Sequence, residues 1–242
     1  DITKIGFNKK FSEKNYKKFN KIFVVSKEGK EKLIRLIPTL NNKVEVFFNI
    51  ISCNLIENMG KGEKGFGDSF NGIRILTVGR LSKEKGQDLT INVLAKLKNE
   101  GYNIKWYCIG NGSEKDNYKQ TIKNLNIEND YILLGSKLNP YPFMKECDIY
   151  VQPSRHEGYC ITLGEARCFN NPIVTTNFTG ANEQIKNEET GLVCEISENG
   201  IYKSLKRLLD DKDLYNNIKI NLSKEIVDST NEISKLDKVL SY

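Results

Sequence analysis

What most limits how this chain can fold is the regular alternation of short apolar runs with amphipathic stretches between residues 73 and 194. Residues 73–78 form a near-continuous apolar run that stops at Gly79, as expected of a strand covered on both faces. A helical pattern follows, with Leu89, Val93 and Leu97 on one face and Gly101 placed to end it. Residues 104–109 read as the next strand, and Tyr118, Ile122 and Leu125 mark the next helix. Residues 131–134, 149–151, 173–176 and 192–193 supply further strands, with helical segments between most of them. Strand–helix–strand order implies a parallel sheet, because parallel neighbours need crossover helices. The expected fold is α/β, a Rossmann-like parallel sheet flanked by helices. Ligands of such sheets bind beyond the strands' carboxyl ends. Residues 79–85, 110–112, 135–138 and 153–163 should therefore meet in one crevice.

The rest of the chain is less regular. Residues 1–20 are rich in Lys and Asn and poorly patterned, whereas 21–26 (KIFVVS) read as a buried strand followed by a helix that Pro38 closes. Residues 43–48 alternate like another strand. Residues 54–72 are polar, hold five glycines and read as a loop or linker. The organisation expected is a remnant of a preceding domain over 1–48, a Gly-rich linker over 49–72, the main domain over 73–230 and a tail over 231–242. Beginning at Asp1 rather than Met, the chain reads as a piece of something longer.

Composition removes several classes. No run approaches the roughly 18 apolar residues of a membrane span. The six cysteines show no C-x-x-C spacing and the only histidine is His156, so no metal site is expected. Cysteines within WYCIG and GLVCE read as small buried hydrophobes, and a reducing cytoplasm is the simpler setting. The net charge of +6 suits anionic partners, yet the basic residues are scattered and form no stripe interleaved with aromatics. Nucleic acid is therefore not an expected partner. The string from Gly60 through Gly62 to Gly65 matches G-x-G-x-x-G by letter, but no strand precedes it and no helix follows. It reads as linker.

Chemistry concentrates at two strand ends. Residues 79–86 (GRLSKEKG) place Arg80 and Lys85 where a planar fork and a point charge could grip a diphosphate, although solvated loop cations explain them equally well. Residues 153–166 (PSRHEGYCITLGEA) place Glu157 in a loop and Glu165 on the helix that follows, whose free amides suit phosphate. A competing reading makes Thr162-x-x-Glu165 a capping box. Residues 135–138 could present their backbone to a base edge, and 177–181 could close over a ligand; an ordinary turn serves for either.

Taken together, the run G-R-L-S-x-E-K-G, then P-S-R-H-E-G-Y, then Glu157 and Glu165 at E-x7-E spacing, then N-P-I-V-T-T and E-T-G-L-V resemble glycosyltransferase family four, whose members have the GT-B fold. The resemblance covers about residues 21–230. It implies that the main domain binds a nucleoside-diphosphate sugar, a UDP-sugar rather than a GDP-sugar, without a metal or other cofactor. Arg80, Lys85 and Glu157 would be the catalytic group, the cations facing the diphosphate and Glu157 the sugar. Gly158, Tyr159, Cys160, Ile161, Thr162 and Leu163 would line the donor and offer amides to phosphate. Glu165 would hold the ribose, and the neighbourhood of Leu138 the base. The implied reaction is retaining hexosyl transfer to a glycan or lipid-linked acceptor in surface polysaccharide or glycoconjugate synthesis. The implied setting is cytoplasmic, with peripheral contact at the inner face of the membrane.

Two departures stand out. Cys160 occupies the place of a usual glycine, where a side chain is expected to narrow the pocket. Residues 49–52 (NIIS) replace the usual Asn-Gly-x-Asp at the interdomain link. Most of an acceptor-side domain is missing, so the chain alone should be weakly active or inactive. A nucleotide-sugar-binding module, or an epimerase on the same fold, is the alternative reading.

Overall fold

The computed structural model describes residues 9–225 and 227–235. In chain order the elements are α1 (Lys9–Tyr16), β1 (Ile22–Val24), α2 (Lys27–Leu36), β2 (Val44–Val46), α3 (Cys53–Met59), β3 (Ile73–Val78), α4 (Gln87–Asn99), β4 (Ile104–Ile109) and α5 (Lys115–Asn124). They continue with β5 (Tyr131–Gly135), α6 (Tyr141–Glu146), β6 (Ile149–Gln152), α7 (Ile161–Arg167), β7 (Ile173–Thr176), α8 (Ala181–Gln184), β8 (Leu192–Cys194), α9 (Glu198–Asp210) and α10 (Lys212–Lys224).

Six strands form one all-parallel sheet in the order β5-β4-β3-β6-β7-β8. Successive strand residues point to opposite faces, and each face has its own helical cover, which is why the strands carry so few polar residues. Ile75, Val151 and Val174 pack on one face with Leu94 and Leu97 of α4, Tyr118 of α5 and Leu205 of α9. Leu76, Tyr150 and Ile173 pack on the other with Met144 of α6, Leu163 of α7 and Ala181 of α8. Each such aliphatic side chain, fully buried, contributes about 1.5–3 kcal/mol. Two polar side chains inside pair with each other and the sheet: Trp106 Nε1 donates to Thr77 Oγ1 at 3.1 Å, and Thr77 donates to the Val151 carbonyl at 2.9 Å.

The chain winds outward from β3 through β4 to β5, then returns to lay β6 on β3's other side. β3 and β6 therefore flank the point where the direction of winding reverses, the place where ligands of such sheets bind.

Outside this sheet, β1 and β2 pair in parallel, and Leu33, Ile37, Leu40 and Val44 form a separate small core. Two stretches of backbone join that unit to the main sheet. Residues 49–52 run outward and 227–229 run back alongside them. Ser52 and Asp228 form an antiparallel bridge, and the Ser229 hydroxyl accepts from the Ile51 amide and donates to the Asn49 carbonyl.

Several sequence expectations need correction. Helix α1 forms in a stretch that showed no pattern, and α3 forms in the polar segment read as loop. The glycine-rich residues after α3 are pinned, because the Gly65 and Phe66 amides both donate to Glu146. Leu125 does not join Tyr118 and Ile122 in the core; it caps α5 at the surface. Residues 1–8, 226 and 236–242, which include most of the expected tail, lie outside the described residues.

The cysteines hold the largest surprise. Cys53, first in α3, and Cys168, just after α7, form a disulfide 115 residues apart in sequence. The spacing of the cysteines gave no sign of this pair. Cys108 is free and buried as expected, whereas Cys194, read the same way, is free but only partly buried; Cys147 and Cys160 are also free and buried. No helix among the described residues is long and apolar enough to cross a membrane.

Candidate active site

The loops after β3 and β6 touch. Gly86, at the end of the first loop, has φ 75°, and a Cβ there would lie 2.0 Å from the Pro153 carbonyl oxygen. Only glycine tolerates both the left-handed backbone and that approach. Arg155 strengthens the junction: its amide donates to the Glu84 carbonyl and its guanidinium to the Lys83 carbonyl, both at 2.7 Å. The same guanidinium grips Asp88 through two parallel bonds of 2.7 Å, a geometry open to arginine and not to lysine. Asp88 accordingly holds the Arg155 pKa above its ordinary value.

Across this junction Lys85 Nζ donates to Glu157 Oε1 at 2.6 Å, with both side chains largely withdrawn from water. Glu157 starts a relay into the sheet. Ser154 Oγ donates to Glu157 Oε1 at 2.7 Å and accepts from Gln152 Nε2 at 2.8 Å. Gln152 Oε1 accepts in turn from Tyr150 at 2.9 Å and from Thr162 at 3.2 Å. Thus the buried end of β6 fixes both the loop carboxylate and the start of α7. Arg80 lies exposed at the mouth, its carbonyl held by Gln87 Nε2 at 3.0 Å.

Helix α7 begins at Ile161 with Cys160 as its cap, and no side chain caps its first amides. The capping-box reading fails, because Glu165 is the fifth helical residue and its Oε1 instead accepts from the Tyr141 hydroxyl at 2.9 Å. Burial pushes the Glu165 carboxyl above its ordinary pKa, and the Tyr141 bond offsets only part of that. Burial and the neighbouring Glu165 raise Tyr141 to about 12, so it stays a donor.

Cys160 also departs from expectation. Its side chain is buried among Leu163, Ala166 and Phe178 rather than projecting into the crevice, with Sγ 3.2 Å from Thr162 Oγ1. It does not narrow the pocket. Burial pushes its thiol to about 12, which leaves it unreactive. Leu138 is fully exposed on the loop after β5, while Tyr159 stacks obliquely against Phe48 at 5.7 Å.

Of the expected residues, Lys85 and Glu157 are in contact, while Gly158, Tyr159, Thr162 and Glu165 follow on the same loop and helix. Arg80 and Leu138 occupy separate rims. Sequence reasoning missed Tyr141 and gave no role to Ser154 or Arg155, which lie inside the quoted P-S-R-H-E-G string. The Asp210–Asp213 stretch serves structure, Asp211 capping α10 through the Leu214 amide at 2.9 Å. Among the described residues no three His, Cys, Asp or Glu side chains gather as metal ligands.

Residues 69–225 match the family model for glycosyl transferases group 1. Among curated proteins, the chain is 33% identical over 201 residues to N-acetylgalactosamine-N,N'-diacetylbacillosaminyl-diphospho-undecaprenol 4-alpha-N-acetylgalactosaminyltransferase of Campylobacter jejuni, covering 82% of this chain and 53% of that protein. It is 29% identical over 155 residues to the capsular polysaccharide biosynthesis glycosyltransferase CapM of Staphylococcus aureus, covering 62% and 40%. Among solved structures, Anabaena HepE in complex with UDP superposes with a TM-score of 0.83 at 19% identity, over 96% of this chain and 67% of that one. The chain thus spans about half the length of the curated relatives it matches.

Proposed function

The chain belongs to the group 1 glycosyltransferases, and on that premise we propose that it is the nucleotide-sugar-binding half of a retaining, family-four hexosyltransferase. The observation that carries this reading is the meeting of Lys85 with Glu157 where the winding of the sheet reverses, on a relay shared with the start of α7. The leaving group of such a reaction is a nucleoside diphosphate, whose charge grows as the glycosidic bond breaks. Fixed cations aimed at developing charge are a large part of transition-state stabilisation. Arg80 and Lys85 supply them, so no metal is called upon. Lys85 has three donors, keeps one on Glu157 and offers another to a phosphate oxygen. The backbone of Cys160, Ile161, Thr162 and Leu163, free of any side-chain cap, receives the other phosphate.

Glu157 is held at Oε1 by both Lys85 and Ser154, which fixes its rotamer and turns its second oxygen to a sugar hydroxyl beside Gly158 and Tyr159. Glu165 takes the two ribose hydroxyls, oriented by Tyr141. The base lies over the loop bearing Leu138. UDP is favoured over GDP, in keeping with the UDP named for the Anabaena structure. The acceptor, a glycan or lipid-linked saccharide in surface polysaccharide synthesis, is bound mainly by a preceding domain, so this chain alone transfers weakly. The setting is the cytoplasm, with peripheral contact at the inner membrane face.

Calorimetric titration with UDP, GDP, ADP and UDP-sugars, repeated on Glu165→Ala and Arg80→Ala, tests the assignment. The expected outcome is binding of UDP, weakened by both substitutions and indifferent to a chelator. Nucleotide binding unaffected by either substitution would refute it.

A further inference from the structure

A cavity of about 220 Å3 opens beside Glu157 and Gly158 on the side facing the β1–α2 unit. Its far wall is apolar, made by Phe23, Val24 and the half-exposed Val25, and besides Glu157 its polar side chains are Lys32, Thr179 and Ser26, the last accepting from the Gly29 amide. Val25 reaches the donor loop directly, since a Cβ on Gly158 would lie 3.6 Å from its Cγ2. We propose that this cavity receives an acetamido substituent on the transferred sugar, so that the donor is a nucleoside-diphosphate N-acetylhexosamine. The proposal rests on the reading of Glu157 as the residue that faces that sugar.

The walls choose between substituents. A hydroxyl turned to Phe23, Val24 and Val25 would be buried with no partner, which disfavours a plain hexose there. An anionic substituent is disfavoured by charge balance. Lys32 is already neutralised by Glu28 at 2.8 Å, and Lys85 by Glu157 at 2.6 Å, so the cavity has no cation to spare. An acetamido group meets both ends. Its methyl covers the valine wall, and its carbonyl finds two donors. Lys32 uses one N–H on Glu28 and one on Thr179 Oγ1 at 2.7 Å, which leaves a third. Thr179 accepts that second bond, so its own hydroxyl proton is free to donate.

The test is a titration of this chain with UDP, UDP-glucose, UDP-galactose and their N-acetyl counterparts, on the natural protein and on Val25→Asn. Val25 is partly exposed, and the melting temperature of the variant reports its folding. Each N-acetyl donor is expected to bind about tenfold more tightly than its parent hexose donor, the order of effect expected for one apolar group in a fitted pocket. In Val25→Asn that ratio should fall towards one. Equal binding of the two donor classes, or a preference that survives Val25→Asn, would overturn the cavity assignment while leaving the donor site intact. If UDP itself does not bind, the donor reading fails and the cavity assignment fails with it.

Discussion

Gly86→Ala is the substitution whose cost the structure lets one work out most directly. Gly86 carries φ 75°, and its added Cβ would stand 2.0 Å from the Pro153 oxygen and 3.0 Å from the Pro153 carbon. Both contacts are backbone, so no side chain can rotate to relieve them. Gly101 provides the control. It carries φ 88° at the end of α4, and a Cβ there meets nothing within 4 Å. Gly101→Ala therefore incurs only the left-handed backbone cost, about 1–2 kcal/mol. Gly86→Ala incurs that and the overpacking besides, about 2 kcal/mol more. For a chain of this size, 2 kcal/mol corresponds to about 4–8 °C in melting temperature. Differential scanning calorimetry on the two variants should show that gap, with Gly86→Ala the lower. Nucleotide titration should separate them too, because the clash would part Lys85 from the loop that carries Glu157. Melting temperatures within about 2 °C of each other, a gap of under 1 kcal/mol, would refute the claim that the two loops are locked through this glycine.

Further outcomes follow from the same geometry. In the ribose role proposed for it Glu165 accepts as a carboxylate, and its pKa is raised by burial, so nucleotide affinity should climb as pH rises through that raised value. Glu165→Gln should flatten the profile, and an unchanged profile in that variant would reject Glu165 as the ribose ligand. Arg155→Lys should weaken nucleotide binding severalfold, because lysine cannot hold Asp88 and the Lys83 carbonyl together; calorimetry should show the loss with little change in melting temperature. Non-reducing mass spectrometry should find Cys53 and Cys168 joined, and Cys168→Ser should lower stability by about 5 kcal/mol on the chain-entropy account of a loop this long.

How far the sequence could be read depended on the range of the interaction responsible. The β-strands of the main sheet were legible because two-faced burial writes a continuous apolar run, as in residues 149–151. That residues 79–85 and 153–163 gather was legible because the winding of the sheet dictates where its loops must meet, and Lys85 reaches Glu157 there. What escaped was decided by contacts remote in sequence. Tyr141 meets Glu165 across 24 residues, and nothing local in either segment announces the pair. Helix α3 has a weakly patterned sequence and depends on α6 and the Cys168 disulfide for its place. Cys160 was misjudged because a residue's position in a motif does not tell which way its side chain turns. The relay through Gln152 and Thr162 left the crevice to the backbone and sent that sulfur into the core.

The proposed sugar end of the site depends on both units of the chain, through carboxylates exchanged between them. Glu183, from the main sheet's side, accepts from the Lys27 and Glu28 amides at 2.9 and 2.8 Å and so completes the N-terminus of α2 alongside Ser26. In the other direction, Glu28 accepts from the Gly180 amide at 2.8 Å, and Lys32 holds Thr179. Burial would raise the Glu28 pKa, but Lys32 and the Gly180 amide outweigh it and the carboxylate is held below its ordinary value. Carboxylates at helix N-termini gain from the helix dipole as well as from the orphan amides. Residues 179 and 180 therefore take their positions from a unit that lies outside the main sheet. A Cβ on Gly180 would stand only 3.5 Å from the Gly158 carbonyl, so any shift of that unit passes directly to the loop beside Glu157. The proposed nucleotide end draws instead on β3, β6 and α7, with the loop after β5 and Tyr141 of α6, all parts of the main sheet and its cover. Nucleotide affinity and sugar discrimination should accordingly respond to different parts of the chain.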